Sequence, residues 1–326
     1  MKIIPFFFII PLLLLNFFAL FYRLNSATLS SSDEERTKEL PASHLGKAII
    51  YVQKESKKIL ALTCDALAID EVKIIYSFQE PKGSFFNSAS QEFFFASRKA
   101  KFLAQEEKLY LYDKARVYDE MMEVLAPQIH YHLKRNMGLA VRDKKILSRT
   151  VYYDEKKRKN LEIEGDRVYF GNIAKNIYYK GNLKGIVISQ DRKSTIKFRA
   201  QKLFVHERKN RLKLKEQVSL ETSKIKSESE EGIILFKNRF SVAERYYLLK
   251  RVKLIQTYEE EGRKGPLIRT AYAEFVKGVL EDERIELYGP PRVEQQKDVI
   301  LGNSIFLYEN SSVIEVYETT SEFSIQ

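Results

Sequence analysis

The 326-residue chain has a single cysteine, Cys64, and no tryptophan. One thiol excludes an intrachain disulfide, a four-cysteine zinc site and a Cys-x-x-Cys redox pair. Glycine (13) and proline (8) are both sparse, so collagen-like and low-complexity chains are excluded. The signatures of common catalysts are missing too. There is no G-x-S-x-G elbow, no H-E-x-x-H, no G-x-x-x-x-G-K-[ST] and no glycine-rich dinucleotide loop. His130 and His132 share a strand face, but no cysteine or third histidine lies near them in sequence, so no metal is expected. Glu162 and Glu164 alternate with Leu161 and Ile163, which is the pattern of a solvated strand face rather than an acid–base pair. The sequence therefore reads as non-enzymatic, without a cofactor.

What is present is hydrophobic and charged in proportions typical of a folded protein, 44% and 30%. Lys+Arg 55 against Asp+Glu 44 leaves a net charge of +11. Basic clusters stand at Arg142–Lys145, Lys156–Lys159 and Arg208–Arg211, suited to phosphorylated headgroups or an anionic membrane surface, or simply to solvated turns. Acidic residues are mixed throughout and no nucleic-acid-binding motif is found, so nucleic acid is not an expected partner.

Ile3 to Tyr22 is an uncharged run of 20 residues between Lys2 and Arg23. At about 1.5 Å per residue it matches the roughly 30 Å core of a bilayer. The run is longer than a signal-peptide core, and Arg23 to Ala27 makes a poor cleavage site, so residues 1–23 are expected to be an uncleaved anchor. A cleaved signal or a buried helix is the alternative. Residues 24–46, rich in serine and mixed in charge, read as a polar linker.

From Lys47 onward the apolar period is two, the spacing of a strand with one face buried. Residues 211–221 show it most clearly: Leu212, Leu214, Val218 and Leu220 share one parity. The unit recurs at 108–118, 161–170 and 284–295. Each copy has an apolar-x-apolar pair, a short polar or Gly/Pro break, then a valine: Val117, Val168, Val218 and Val293. A second unit, a small residue followed by an aromatic, recurs at 200–204, 271–275 and 302–306. Such spacing predicts a stacked antiparallel β architecture. Residues 47–238 form its main body, and residues 239–326 are either its continuation or a second module.

This order of strands, best seen in Phe198 to Thr222 and Arg269 to Gln295, resembles the OstA-like domain of the LptA and LptC lipopolysaccharide-transport family. Leu62 to Pro81 resembles the start of an LptC-type domain, while Met121 to Ser148 departs from the pattern and the chain is longer than a typical LptC. The resemblance implies an all-β fold, an antiparallel β-jellyroll with an open, curled sheet and an apolar trough, carried on one N-terminal transmembrane helix. It also implies a body in the periplasm held at the inner membrane, with lipopolysaccharide or a related lipid as cargo. Inner-membrane ABC exporter subunits and an OstA-like periplasmic protein joined by strand addition are the implied partners. Parity gives the residues expected to line the trough: Leu109, Leu111, Val117, Leu161, Ile163, Leu212, Leu214, Val218, Leu220, Ile285, Leu287 and Val293. An ordinary closed sandwich core fits the same parity, and with it an anchored envelope scaffold without cargo. For docking, the C-terminal strands are expected to offer edges, with Phe306 and Val316 as contact positions.

Overall fold

The structure, a computed structural model, describes residues 43–317 apart from 55–56, 71, 87–91, 145, 155, 172–175, 189–194, 238–239, 260–264 and 310. The expected anchor at 1–23 lies outside the described residues, as does the linker at 24–46 except for its last four residues. Among the described residues no helix is long and apolar enough to cross a membrane.

The described chain is all-β and antiparallel. In order, the strands are β1 (Ser43–Leu45), β2 (Ala48–Lys54), β3 (Lys57–Cys64), β4 (Ala66–Asp70), β5 (Ile75–Gln79), β6 (Lys82–Phe86), β7 (Glu92–Ala96) and β8 (Lys99–Leu103). Then come β9 (Lys108–Tyr118), β10 (Met122–His132), β11 (Met137–Val141), β12 (Ser148–Tyr153), β13 (Lys159–Gly165), β14 (Arg167–Gly171), β15 (Asn176–Ile188) and β16 (Thr195–His206). The last are β17 (Arg211–Glu221), β18 (Ile225–Lys237), β19 (Val242–Tyr258), β20 (Leu267–Val279), β21 (Arg284–Tyr288), β22 (Arg292–Gln295), β23 (Asp298–Leu301), β24 (Ser304–Tyr308) and β25 (Ile314–Tyr317).

Pairing arranges these strands as two ladders. The first runs β1, β4, β5, β8, the first half of β9, the second half of β10, β11, β14, and the first half of β15. It continues through one half of each of β16 to β20 and ends at β21, β24 and β25. The second starts at β2, β3, β6 and β7, takes the opposite halves of the same long strands together with β12 and β13, and ends at β22 and β23. The long strands thus belong to both ladders and bend between them. β18 and β19 pair along their lengths, from Ile225 opposite Gln256 to Lys237 opposite Val242.

The polar breaks in the sequence are the bends. Asp113 and Lys114 have φ of 58° and 56°, Glu216 and Gln217 65° and 54°, Lys250 and Arg251 66° and 51°. Two consecutive left-handed residues form a bulge that rotates the strand, and the ladder register shifts at each one. The sequence reads each break as separating two short strands, and so it does at 161–170 (β13 and β14) and 284–295 (β21 and β22). At 108–118 and 211–221 a single strand runs on past the break, because a bulge needs only two residues out of register.

Side-chain parity then puts one face of each ladder inward. The apolar residues of both form one continuous core. Rings cross from ladder to ladder, as where Phe85 of β6 meets Tyr131 of β10 with centroids 3.9 Å apart. Each large apolar side chain so buried contributes about 1.5–3 kcal/mol relative to exposure. Cys64 is buried as well, and burial pushes its thiol above the ordinary range.

Candidate functional site

The space between the ladders is the candidate site. All twelve residues expected to line a trough lie in it, at 0 or 1% exposure. Leu109, Leu111, Leu212, Leu214, Ile285 and Leu287 come from the first ladder. Val117, Leu161, Ile163, Val218, Leu220 and Val293 come from the second. Alternation places them: residues two apart on a strand share a face, and the bulge restores the parity of the next valine. No water reaches them, so the interior is filled by its own side chains where an open trough was expected.

Aromatic side chains supply part of the filling, and these the apolar-x-apolar reading missed. Three sit directly opposite a glycine on the neighbouring strand: Phe170 opposite Gly138, Phe198 opposite Gly185 and Tyr246 opposite Gly278. Added Cβ atoms at those glycines would stand 2.3, 1.9 and 2.1 Å from the rings. The missing side chain is what lets each ring lie flat on the strand, an arrangement that pins register. A glycine on the buried parity of a strand was the available signal.

The interior is not wholly apolar. The hydroxyls of Tyr131, Tyr246 and Tyr258 are buried with no hydrogen-bond partner among the described residues. Burial drives the Tyr131 and Tyr246 phenols well above their usual range. Each unpaired hydroxyl costs about 1–3 kcal/mol.

Two devices hold the ladders together along the side opposite the bends. Tyr152, from β12 of the second ladder, packs at 5.3 Å on Phe240, which in turn meets Phe236 of β18 edge-on at 5.1 Å. Near the C-terminal end, Arg269 of β20 is fully buried. Its Nε donates to Gln256 Oε1 at 2.9 Å, and its Nη2 donates to the carbonyls of Tyr308 and Ser311 at 3.0 and 3.2 Å. Nη1 donates to the Ser312 carbonyl at 3.4 Å, and the guanidinium lies 4.9 Å from the Tyr258 ring centre. Gln256 also donates to the Tyr308 carbonyl at 2.8 Å. Burial lowers the Arg269 pKa to about 10, which leaves it charged at neutral pH. An inward arginine ties the second ladder to the β24–β25 turn of the first.

The ladder ends are the other feature with functional bearing. Among the described residues β1, β2, β23 and β25 each pair on one side only. β2 exposes Ile49 (66%) and Tyr51 (60%), and β23 exposes Val299 (47%) and Leu301 (42%). Val316 lies on the edge strand β25. Phe306 does not lie on an edge: β24 is paired on both sides, and the ring is half-buried between Tyr288 and Tyr317. His130 and His132 both face outward from β10, His130 against the Tyr110 ring at 4.8 Å. No group of three or more potential metal ligands is found among the described residues.

No protein-family model matches the chain, and no curated protein matches it. Among solved structures, similarity is found to the crystal structure of LptH, described as the LptA homologous periplasmic component of the conserved lipopolysaccharide transport device from Pseudomonas aeruginosa. The identity is 13% and the TM-score 0.33, over 38% of this chain and 83% of that one. A likeness at this level assigns no function.

Proposed function

We propose that the chain is a non-enzymatic lipid-transport protein that takes acyl chains of lipopolysaccharide or a related lipid between its two ladders. The observation that carries the reading is the single cluster of apolar side chains that runs from the first strands to the last and is bounded by both ladders. An acyl chain in water costs about 0.8 kcal/mol per CH₂ relative to such an interior, so burial alone can hold the cargo and no covalent chemistry is needed. Because the interior is filled, entry requires the ladders to part along the side closed by Tyr152, Phe240 and Arg269. The cargo's polar atoms would then meet the unpaired tyrosine hydroxyls. The resemblance at Phe198–Thr222 and Arg269–Gln295 supports the same reading. On it, residues 1–23 anchor the chain in the inner membrane, the body lies in the periplasm, and ABC exporter subunits deliver lipid that passes to an OstA-like protein by strand addition at the open edges.

A second reading rests on the packing itself. Twelve lining residues at 0 or 1% exposure describe a finished sandwich core, as an envelope scaffold without cargo would have. Photoreactive phenylalanine at Phe240, in the full chain expressed in cells with a lipopolysaccharide-containing envelope, separates the two. Lipid adducts at Phe240, and none at the outward Ser219 of β17, are expected for transport. No lipid adduct at Phe240, or equal adducts at both, gives the scaffold reading.

A further inference from the structure

Pairing assembles a charged row that is not contiguous in sequence. Arg167 of β14 stands opposite Lys180 of β15, Lys180 opposite Lys202 of β16, and Lys202 opposite Lys215 of β17. At about 4.8 Å per strand the four cations span roughly 14 Å on the outer face of the first ladder. Like charges directly opposed across strands are destabilising. Two carboxylates offset them in part: Glu216 pairs with Lys202, and Glu231 stands opposite Lys215 while also pairing with Lys213 at 3.8 Å and Lys250 at 2.8 Å. Arg167 and Lys180 are exposed and form no ion pair among the described residues. Asp166, beside Arg167 in sequence, is taken by Arg142 at 2.9 Å.

A second row runs alongside, two residues away on the same strands. Tyr169 stands opposite Tyr178, and Tyr178 opposite Phe204, with ring centroids 5.6 and 4.7 Å apart and planes within 27° and 30° of parallel. Lys213 continues this row, and His206 and Arg211 lie just beyond it. His206 sits below its ordinary range, first through burial and then through Arg211, Lys209 and Lys213. The face is thus positive over four neighbouring strands and carries aromatic rings beside its cations.

Cations beside aromatics are what two kinds of anionic partner use, and ring geometry decides between them. Single-stranded nucleic acid needs free ring faces on which bases stack. Here Tyr178 has Tyr169 stacked on one side and Phe204 on the other, so the row offers no open ring face at its centre on which a base could stack. Tyrosines beside lysines are the chemistry of a headgroup layer. We propose that this outer face docks on an anionic phospholipid bilayer, turning the body so that the first ladder lies against the membrane. The inference is independent of any cargo between the ladders.

The test uses the full chain reconstituted in vesicles of phosphatidylcholine, alone or mixed with phosphatidylglycerol. In a Cys64→Ser background, a fluorophore is placed at Asn176→Cys beside the face, or at Ser219→Cys on the outer face of the second ladder. Energy transfer to a headgroup-labelled acceptor lipid is measured. Phosphatidylglycerol is expected to raise transfer severalfold from position 176 and little from 219, and high salt to reverse the rise. The triple variant Lys180→Gln, Lys202→Gln, Lys215→Gln should lose the rise while melting no lower than the parent. An equal response from both faces, or no response to phosphatidylglycerol, overturns the proposal. So does tight binding of a single-stranded oligonucleotide without any lipid response. The comparison of lipids requires no charge variant, so a misfolded triple variant leaves it decisive.

Discussion

Phe198 on β16 lies flat over Gly185 on β15, so that a Cβ at position 185 would stand 1.9 Å from the ring's Cζ. The ring is 2% exposed and cannot swing into solvent without emptying the core beside it. Gly185→Ala should therefore act as overpacking, which costs about 1–3 kcal/mol. Gly232→Ala is the matched control. Its nearest neighbour would be Val218 Cγ1 at 3.1 Å, the end of a side chain that can shift. Urea unfolding should show a large loss for the first and less than about 1 kcal/mol for the second.

Much of this arrangement is legible in the sequence, and the limits have physical causes. Parity gives Leu212, Leu214, Val218 and Leu220 a common inward face because a strand has period two, and the break at Glu216–Gln217 is visible as two polar residues. What parity alone does not give is which half of a bent strand joins which ladder. That is set by φ at the bulge, and Glu and Gln carry no strong signal for a left-handed conformation. Arg269 was readable in principle. It shares parity with Ala271 and Ala273, but an arginine among small residues looks like surface until its carbonyl partners, 39 to 43 residues away, are known. The row from Arg167 to Lys215 was hidden for a similar reason, since four strands contribute one residue each.

Arg269 is expected to be the strongest single tie between ladders. Arg269→Leu keeps the volume roughly apolar but leaves the carbonyls of Tyr308, Ser311 and Ser312 and the Gln256 amide with lost partners. Unsatisfied buried groups cost about 1–3 kcal/mol each, partly recovered by water at the turn. Hydrogen exchange should rise in β24 and β25 well above any rise in β16 and β17. Uniform acceleration across the sheet would show that Arg269 supports the whole fold rather than this closure.

Glu309, in the turn that Arg269 holds, is raised to a pKa of about 7 by burial and by the neighbouring Glu283, with Lys224 opposing. The native state therefore keeps a proton that the unfolded chain gives up near its ordinary 4.5. Between those values the folded protein binds more protons, so stability from this group falls as pH rises from about 4.5 through 7. The change is of order 2 kcal/mol after solvent screening. Glu309→Gln should remove this component: the urea midpoints of parent and variant should converge at pH 5 and separate at pH 8, with the variant the more stable. An unchanged difference across that range would place Glu309 in water.

The edge strand β2 offers the clearest test of end-to-end pairing. Its outward Ile49 and Tyr51 are more than half exposed, and its free side is unpaired among the described residues. Such an edge invites another strand unless charge blocks it. If strand addition joins this chain to a partner, photoreactive residues at Ile49 and at Val316 should each give protein adducts in cells. Phe306, on a strand paired on both sides, should give far fewer. Replacing both Ile49 and Tyr51 with lysine should abolish the Ile49-side adducts while leaving the melting temperature within a few degrees, because neither side chain belongs to the core. Adducts at Phe306 equal to those at Val316 would mean that the partner binds the outer sheet face instead of the edge.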